Sequence, residues 1–346
     1  MKNTNQTLKP SIYNIWYKNY LINTFRRSIA SIGEEHLGQV KTILHKPNNK
    51  TDDNGIAFTE KLTQEGFLVG EDMDELSLLK NNYFKLRTDN NFYRIVLVPT
   101  YQCNMSCPYC YQKEKFQMWT SDRVEILKAY FSSILNSDKK QLSLALFGGE
   151  PLIKYTDLID LLGHIKQLQK KIGFTYTCSC TTNGTLLNSD RINKLVDEYD
   201  CNIYQLTIDG AKEQHDQRKL IAEKYPSYNK VIDVIKLLVQ KKINSKKNME
   251  IIVKFNLLND TLDDIDLVFN DFSEPEKKNI KVYFRSIYSI DSFKGKEKID
   301  LTPFYKLAKE RGVFIYDNFY QNYSYCESDI GFIINPDLSV WKCNHN

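Results

Sequence analysis

Cys103-Asn104-Met105-Ser106-Cys107-Pro108-Tyr109-Cys110 places three cysteines at C-x3-C-x2-C spacing on one short stretch. It follows the apolar run Phe92–Val98 almost at once, after Pro99-Thr100-Tyr101-Gln102. A run of that length and composition reads as a strand, so the cysteines lie on the loop at its carboxyl end. The alternation continues downstream. Strand patterns at Gln141–Phe147, Phe174–Thr181, Asn202–Ile208, Met249–Asn256 and Ile280–Ile287 alternate with helical ones at Ser121–Leu135, Tyr155–Lys171, Asp190–Tyr199, Tyr228–Lys241, Asp260–Phe269 and Pro303–Arg311. Repeated βα units predict an α/β fold with a parallel sheet and right-handed crossovers. Six such units fall short of a closed eight-stranded barrel. They predict a partial (β/α)6 TIM-like barrel with its site beyond the carboxyl ends of the strands.

Three thiolates on one loop suit three irons of a [4Fe–4S] cubane and leave the fourth iron open to a chelating ligand. A zinc site would want a fourth Cys or His nearby, and the ten residues on either side hold none. Other strand ends also carry polar motifs. The second ends in Phe147-Gly148-Gly149-Glu150-Pro151, where paired glycines allow close backbone approach and a carboxylate can accept an ammonium group. The third ends in Thr181-Thr182-Asn183-Gly184, with hydroxyls and an amide suited to a sugar or a carboxylate, or simply to a turn. The fourth ends in Thr207-Ile208-Asp209-Gly210, followed by His215-Asp216-Gln217-Arg218. Cys178 and Cys180 fall on one face of a strand and, like Cys201, read as buried apolar thiols.

In this order, C-x3-C-x2-C with an aromatic before its last cysteine, then Gly-Gly-Glu, then Asp-Gly with His-Asp, resembles the radical S-adenosylmethionine (radical SAM) superfamily. The likeness is to its peptide-modifying and sulfatase-maturating branch and covers roughly residues 92–343. The resemblance implies that Cys103, Cys107 and Cys110 ligate the cluster and that Tyr109 lies against adenine. It implies that Gly148, Gly149 and Glu150 meet the amino group of S-adenosylmethionine. Thr182, Asn183 and Asp209 become candidate contacts at the strand ends, and Arg218 the candidate partner of the methionine carboxylate. The family pattern is His-Asp-x-x-Arg, whereas here only Gln217 separates Asp216 from Arg218. No catalytic acid or base is named by the resemblance.

The flanks differ from the core. Residues 1–90 carry hairpin strands and short helical patterns at Glu34–Leu44 and Ile56–Glu65, followed by Phe67-Leu68-Val69. They are expected to form a small winged-helix-like α+β unit, of the kind that captures a leader peptide as an added strand. Residues 91–311 form the core. Residues 312–346 hold Cys326, an Asn335-Pro336-Asp337 turn between two short strands, and Cys343. They resemble the start of a SPASM/twitch-like extension, either truncated or a remnant. Cys326 and Cys343 are candidate ligands of an auxiliary iron–sulfur cluster that two thiolates cannot complete.

The chain has 346 residues and a formal net charge of +4, too small to indicate a nucleic-acid protein. No signal peptide or membrane-length apolar run is evident, so a cytoplasmic setting is expected, where clustered cysteines bind metal more often than they pair. The resemblance implies reductive cleavage of S-adenosylmethionine and use of the 5′-deoxyadenosyl radical on a ribosomally made precursor peptide, with an electron donor such as flavodoxin or ferredoxin. Three alternatives stand beside it: a formylglycine-forming anaerobic sulfatase-maturating enzyme, a radical SAM enzyme of cofactor biosynthesis, and a metal-binding peptide adaptor without chemistry.

Overall fold

The structure is a computed structural model describing residues 7–49, 52–88, 91–110, 112, 116–245, 247–287, 299–316 and 331–342. Cys326 and Cys343 lie outside the described residues. The chain divides into two compact units, with the boundary after Thr88.

The first unit contains β1 (Leu8–Pro10), β2 (Asn14–Tyr17), β3 (Tyr20–Asn23), β4 (Ser28–Ser31), α1 (Glu34–His45), α2 (Asp53–Gln64), β5 (Leu68–Gly70) and α3 (Glu75–Thr88). Strands β2, β3 and β4 form an antiparallel meander, and β1 pairs with β5. Leu21, Val40, Ile43, Leu62 and Phe67 make its core. Asn23 is fully buried and replaces lost water contacts with protein ones. Its amide donates to Ser11 Oγ at 2.8 Å, and its carbonyl accepts from the Phe25 and Arg26 backbone, closing the turn into β4.

The second unit runs β6 (Phe92–Leu97), α4 (Ser121–Ile134), β7 (Gln141–Leu146), α5 (Tyr155–Ile172), β8 (Thr175–Thr182), α6 (Ser189–Asp197), β9 (Cys201–Ile208), α7 (Lys212–Arg218) and α8 (Tyr228–Asn244). It continues with β10 (Glu250–Leu257), α9 (Leu262–Asn270), α10 (Glu274–Lys277), β11 (Lys281–Ser286), α11 (Thr302–Glu310), β12 (Phe314–Ile315), β13 (Gly331–Ile334) and β14 (Val340–Trp341). One sheet takes the order β12-β11-β10-β9-β8-β7-β6-β13-β14. Neighbours from β12 to β6 are parallel, as the expected partial barrel requires. The hairpin β13–β14 does not stand apart: β13 adds to the barrel sheet, parallel to β6.

The two faces of this sheet have opposite chemistry, because successive side chains on a strand alternate sides. Leu142, Leu144, Leu146, Cys178, Cys180, Leu206, Ile208, Val253, Phe255, Val282 and Phe284 point to the helices and are buried. Cys178 and Cys201 are register partners inside this layer. Helices answer with their own stripes, such as Leu158, Leu161, Leu162 and Ile165 on α5 at i, i+3, i+4 and i+7. Each such aliphatic burial stabilises by roughly 1.5–3 kcal/mol. The other face carries Ser179, Thr181, Gln205, Thr207, Lys254, Tyr283 and Arg285, none of them fully buried. The inside of the partial barrel is therefore polar and accessible along these positions, while Val96, Val98 and Ile333 form a small buried apolar cluster on the same face around β6 and β13.

Candidate functional site

The cysteine loop is held from several sides. Gly149 N–H donates to Thr100 O at 3.1 Å and Glu150 N–H to Gln102 O at 2.9 Å, so the end of β7 grips the root of the loop. A Cβ on Gly149 would lie 2.3 Å from Gln102 O and 2.4 Å from Tyr101 O; on Gly148, at φ +141°, it would lie 2.4 Å from Thr100 O. Only glycine fits backbones this close. Farther along, Met105 bridges to Ile221, and Ala222 N–H donates to Asn104 O at 2.9 Å. The segment after α7 thus lies against the loop between its first two cysteines.

Glu150 is fully buried. Its carboxylate accepts from Thr182 Oγ1 at 2.9 Å, Asn183 N–H at 2.8 Å and Leu152 N–H at 3.0 Å. Burial raises its pKa against these donors and the field of Lys219. Asn183 in turn donates to Asn104 Oδ1 at 2.8 Å and to Cys103 Sγ at 3.6 Å, and Met105 N–H reaches the same sulfur at 3.4 Å. Gly148, Gly149, Glu150, Thr182, Asn183 and Cys103 are thereby one connected group.

A second group forms at β9 and β10. The Tyr109 hydroxyl donates to Asp209 Oδ2, and Asn256 Nδ2 donates to both Tyr109 Oη and Asp209 Oδ1 at 3.3 Å. Asp209 N–H donates to His215 Nδ1 at 3.2 Å, which puts the ring proton on Nε2, facing Ser227 Oγ at 3.0 Å. Burial first, then Lys219, Arg218 and Lys212, holds the His215 pKa well below its ordinary value, so the ring is neutral. Asp216 Oδ1 accepts from Ser227 N–H and Tyr228 N–H at 2.8 Å, where a carboxylate suits the start of α8. The His-Asp pair is architectural: it ties the end of β9 to α8.

Arg218 takes a different place from the one expected of it. Its Nη1 donates to both Asp260 carboxylate oxygens at 2.8 and 2.9 Å and to Asp209 O at 3.1 Å, with the Asp260 side chain fully buried. Gly210, at φ +92°, makes room; a Cβ there would lie 2.2 Å from Asp260 Oδ1. Arg218 thus joins the ends of β9 and β10, and the cation that faces the cysteines is the next residue, Lys219. Lys219 is 5 % exposed, and among the described residues no hydrogen bond or ion pair meets its ammonium. Burial lowers its pKa, but the negative charge of Asp209 and of the Cys107, Cys103 and Cys110 sulfurs in their thiolate form outweighs burial and moves it upward. Burial also pushes the Cys103 thiol up to about 11 and raises Cys107, the latter against the pull of Lys219.

Sequence reasoning missed Lys219, Asn256 and Asp260. A signal existed for two of them. Lys219 stands four residues after His215, the arginine's place in His-Asp-x-x-Arg, and Asn256 sits at a strand end like every other site motif.

The donor set fits a cluster. Among the described residues no three His, Cys, Asp or Glu side chains close around a single ion. A cubane asks instead for one thiolate per iron, which a three-cysteine loop supplies, and N–H groups aimed at Cys103 Sγ are the contacts that tune such sulfurs. A buried cation without a partner suits an anionic group brought in from outside.

A parallel partial barrel with a three-cysteine loop beyond its first strand, and strand-end polar groups converging on it, defines the radical SAM class. Residues 97–268 match the Radical SAM superfamily model and form a radical SAM domain, the class that uses a [4Fe–4S] cluster and S-adenosylmethionine. The chain is similar to the cysteine-type anaerobic sulfatase-maturating enzyme of Clostridium novyi (strain NT), 26% identical over 170 residues, 44% of each chain. It is also similar to the radical SAM cyclopropyl synthase TigE of Paramaledivibacter caminithermalis, 25% identical over 171 residues, 44% of this chain and 35% of that one. The chain thus spans less than half the length of these two curated relatives. Its fold is that of Streptococcus suis SuiB bound to S-adenosylmethionine, with a TM-score of 0.51, 15% identity, and 97% and 83% of the two chains covered. It is likewise that of anSMEcpe with bound AdoMet, with a TM-score of 0.52, 19% identity, and 73% and 74% covered. No described helix is long and apolar enough to cross a membrane.

Proposed function

We propose that this chain is a radical SAM enzyme that modifies a ribosomally made precursor peptide. Cys103, Cys107 and Cys110 hold the [4Fe–4S] cluster. When bound, cluster and S-adenosylmethionine together supply a carbon radical by one-electron reductive cleavage of the sulfonium, with flavodoxin or ferredoxin as the electron donor. Lys219 meets the methionine carboxylate in place of the family's arginine, and Arg218 positions the strand ends around it. Tyr109, Asp209 and Asn256 line the adenosine side, while Glu150, with Thr182 and Asn183, receives the amino group. Residues 1–90 serve as a winged-helix-like unit that captures the peptide, and the residues after 311 begin a SPASM-like extension.

The observation that carries this reading is the joining of the Gly-Gly-Glu group to Cys103 through Asn183. The test is anaerobic reconstitution with iron and sulfide, addition of S-adenosylmethionine and dithionite, and mass-spectrometric detection of 5′-deoxyadenosine. Wild type forms it and Cys110→Ala does not; product from both chains would remove the cluster assignment.

A second reading has support of its own, because a curated relative is a sulfatase-maturating enzyme. Formylglycine appearing on a Cys- or Ser-containing peptide supplied to the full chain would select that reading over crosslinking.

A further inference from the structure

Lys254 on β10 and Arg285 on β11 share the helix-free face of the sheet. Lys254 is the register partner of Tyr283, and Arg285 of Asn256, so the two cations are diagonal neighbours on adjacent strands. Their sequence neighbours Val253, Phe255 and Phe284 point into the core on the other side. Arg285 is exposed and Lys254 only partly so.

Several other cations of this unit with limited exposure are paired, Lys219 apart. Lys166 and Lys247 both reach Asp200, Lys128 reaches Asp160 at 2.8 Å, Lys277 reaches Glu274 at 2.9 Å, and Arg218 has Asp260. Among the described residues neither Lys254 nor Arg285 has a hydrogen bond or ion pair. Burial, then repulsion from Arg285, brings the Lys254 pKa down to about 8, while Asp209 and Lys219 pull in opposite directions. Asp209 attracts Lys254 through its field without bonding to either cation; its carboxylate oxygens take the Tyr109 hydroxyl and the Asn256 amide. Adjacent unpaired cations repel each other, and burial sharpens the repulsion. An arrangement of this kind is relieved by an anion delivered from solution, and a guanidinium with an ammonium beside it suits a carboxylate.

We propose that Lys254 and Arg285 form a carboxylate receptor that selects a peptide substrate with an acidic side chain next to the residue to be modified. The receptor lies on the inner face level with Asn256, which touches both Tyr109 and Asp209, so a carboxylate held there sits beside the cofactor pocket. The proposal rests on the reading of the substrate as a peptide. S-adenosylmethionine brings a carboxylate of its own, and the test separates the two sources.

A library of short random peptides, N-acetylated and C-amidated to remove terminal charges, is panned on the immobilised, reconstituted full chain with S-adenosylmethionine present. Wild type is compared with the Lys254→Met/Arg285→Gln double variant, and cofactor affinity of both is measured by equilibrium dialysis. The expected result is enrichment of Asp or Glu at one position on wild type, reduced about tenfold in the variant, which is the scale of one charge-assisted hydrogen bond. Cofactor affinity is expected to be the same in both. Equal enrichment on both chains, or none on either, overturns the proposal. So does loss of cofactor affinity in the variant without an acidic preference in wild type, which would assign the pair to the cofactor. Formation of 5′-deoxyadenosine by the same preparation is read separately: a chain that selects acidic peptides but makes none keeps the receptor and loses the proposed chemistry.

Discussion

Replacing Lys254 by Met should stabilise the protein at neutral pH, and the gain should fade as the pH rises. The folded ammonium titrates near pH 8 and the unfolded one near 10.5, because burial and Arg285 disfavour the charge in the native state. Below pH 8 the group is charged in both states and its full penalty is present. Between the two values the unfolded chain binds the extra proton, so stability increases with pH. Above the unfolded value the penalty is gone. At about 1.4 kcal/mol per tenfold in proton affinity, the difference amounts to roughly 3 kcal/mol as a ceiling. Other groups titrate in the same range, so the informative quantity is the difference between wild type and variant. It is measured by urea unfolding at several pH values from neutral to alkaline, with reductant protecting the thiols. The variant is expected to be the more stable at pH 7, with the gap closing through the window from about 8 to 10.5. A variant less stable at pH 7, or a gap that ignores pH, would refute the claim that Lys254 is a partly buried cation without a partner among the described residues.

Gly149→Ala forces a Cβ to within 2.4 Å of two loop carbonyls. It should cost about 1–3 kcal/mol and lower the iron retained after reconstitution, as over-packing does. Gly163→Ala, whose nearest neighbour would be at 3.9 Å, is the control that should leave iron content unchanged. Arg218→Met strands the buried Asp260 carboxylate and should lower stability by about 3–5 kcal/mol in urea titrations. Lys219→Met should keep iron but weaken S-adenosylmethionine binding about tenfold in equilibrium dialysis, the weight of one charge-assisted contact. Asp216→Ala removes the acceptor for two N–H groups at the start of α8 and should cost about 1–2 kcal/mol of stability.

Much of the barrel was legible because parallel strands buried under helices write strong local patterns. Strand β10 was expected at Met249–Asn256 and runs Glu250–Leu257, and α5 was expected at Tyr155–Lys171 and runs Tyr155–Ile172. The strand-end motifs stood out because they recur, in order, at the carboxyl ends of successive strands, which isolated turns would not do. What escaped was set by distant partners. The side chain of Arg218 is decided by Asp260, more than forty residues on, and nothing local to His-Asp-Gln-Arg announces that pairing. Lys219 looks like an ordinary solvated lysine at the end of a short helix until the chain folds back over Met105. Helix α3 was missed because its leucines and aromatics scatter around the helix and leave only a weak apolar face. The parallel pairing of β13 with β6 had no local signature, since a four-residue strand carries no address for its partner.

That last pairing has a temporal consequence. Tyr101, two residues before the first cysteine, donates its buried hydroxyl to Asn335 at 2.6 Å, and β6 takes β13 as its outer neighbour. During synthesis β6 emerges more than two hundred residues before β13, so one edge of β6 stays open while the strands between them assemble. An open edge is a site for wrong pairing, and it is protected only when the late strand arrives. The root of the cysteine loop therefore acquires its final support only once a segment more than two hundred residues downstream has been made, and iron delivered before then would meet a loop whose foundation is still unfinished.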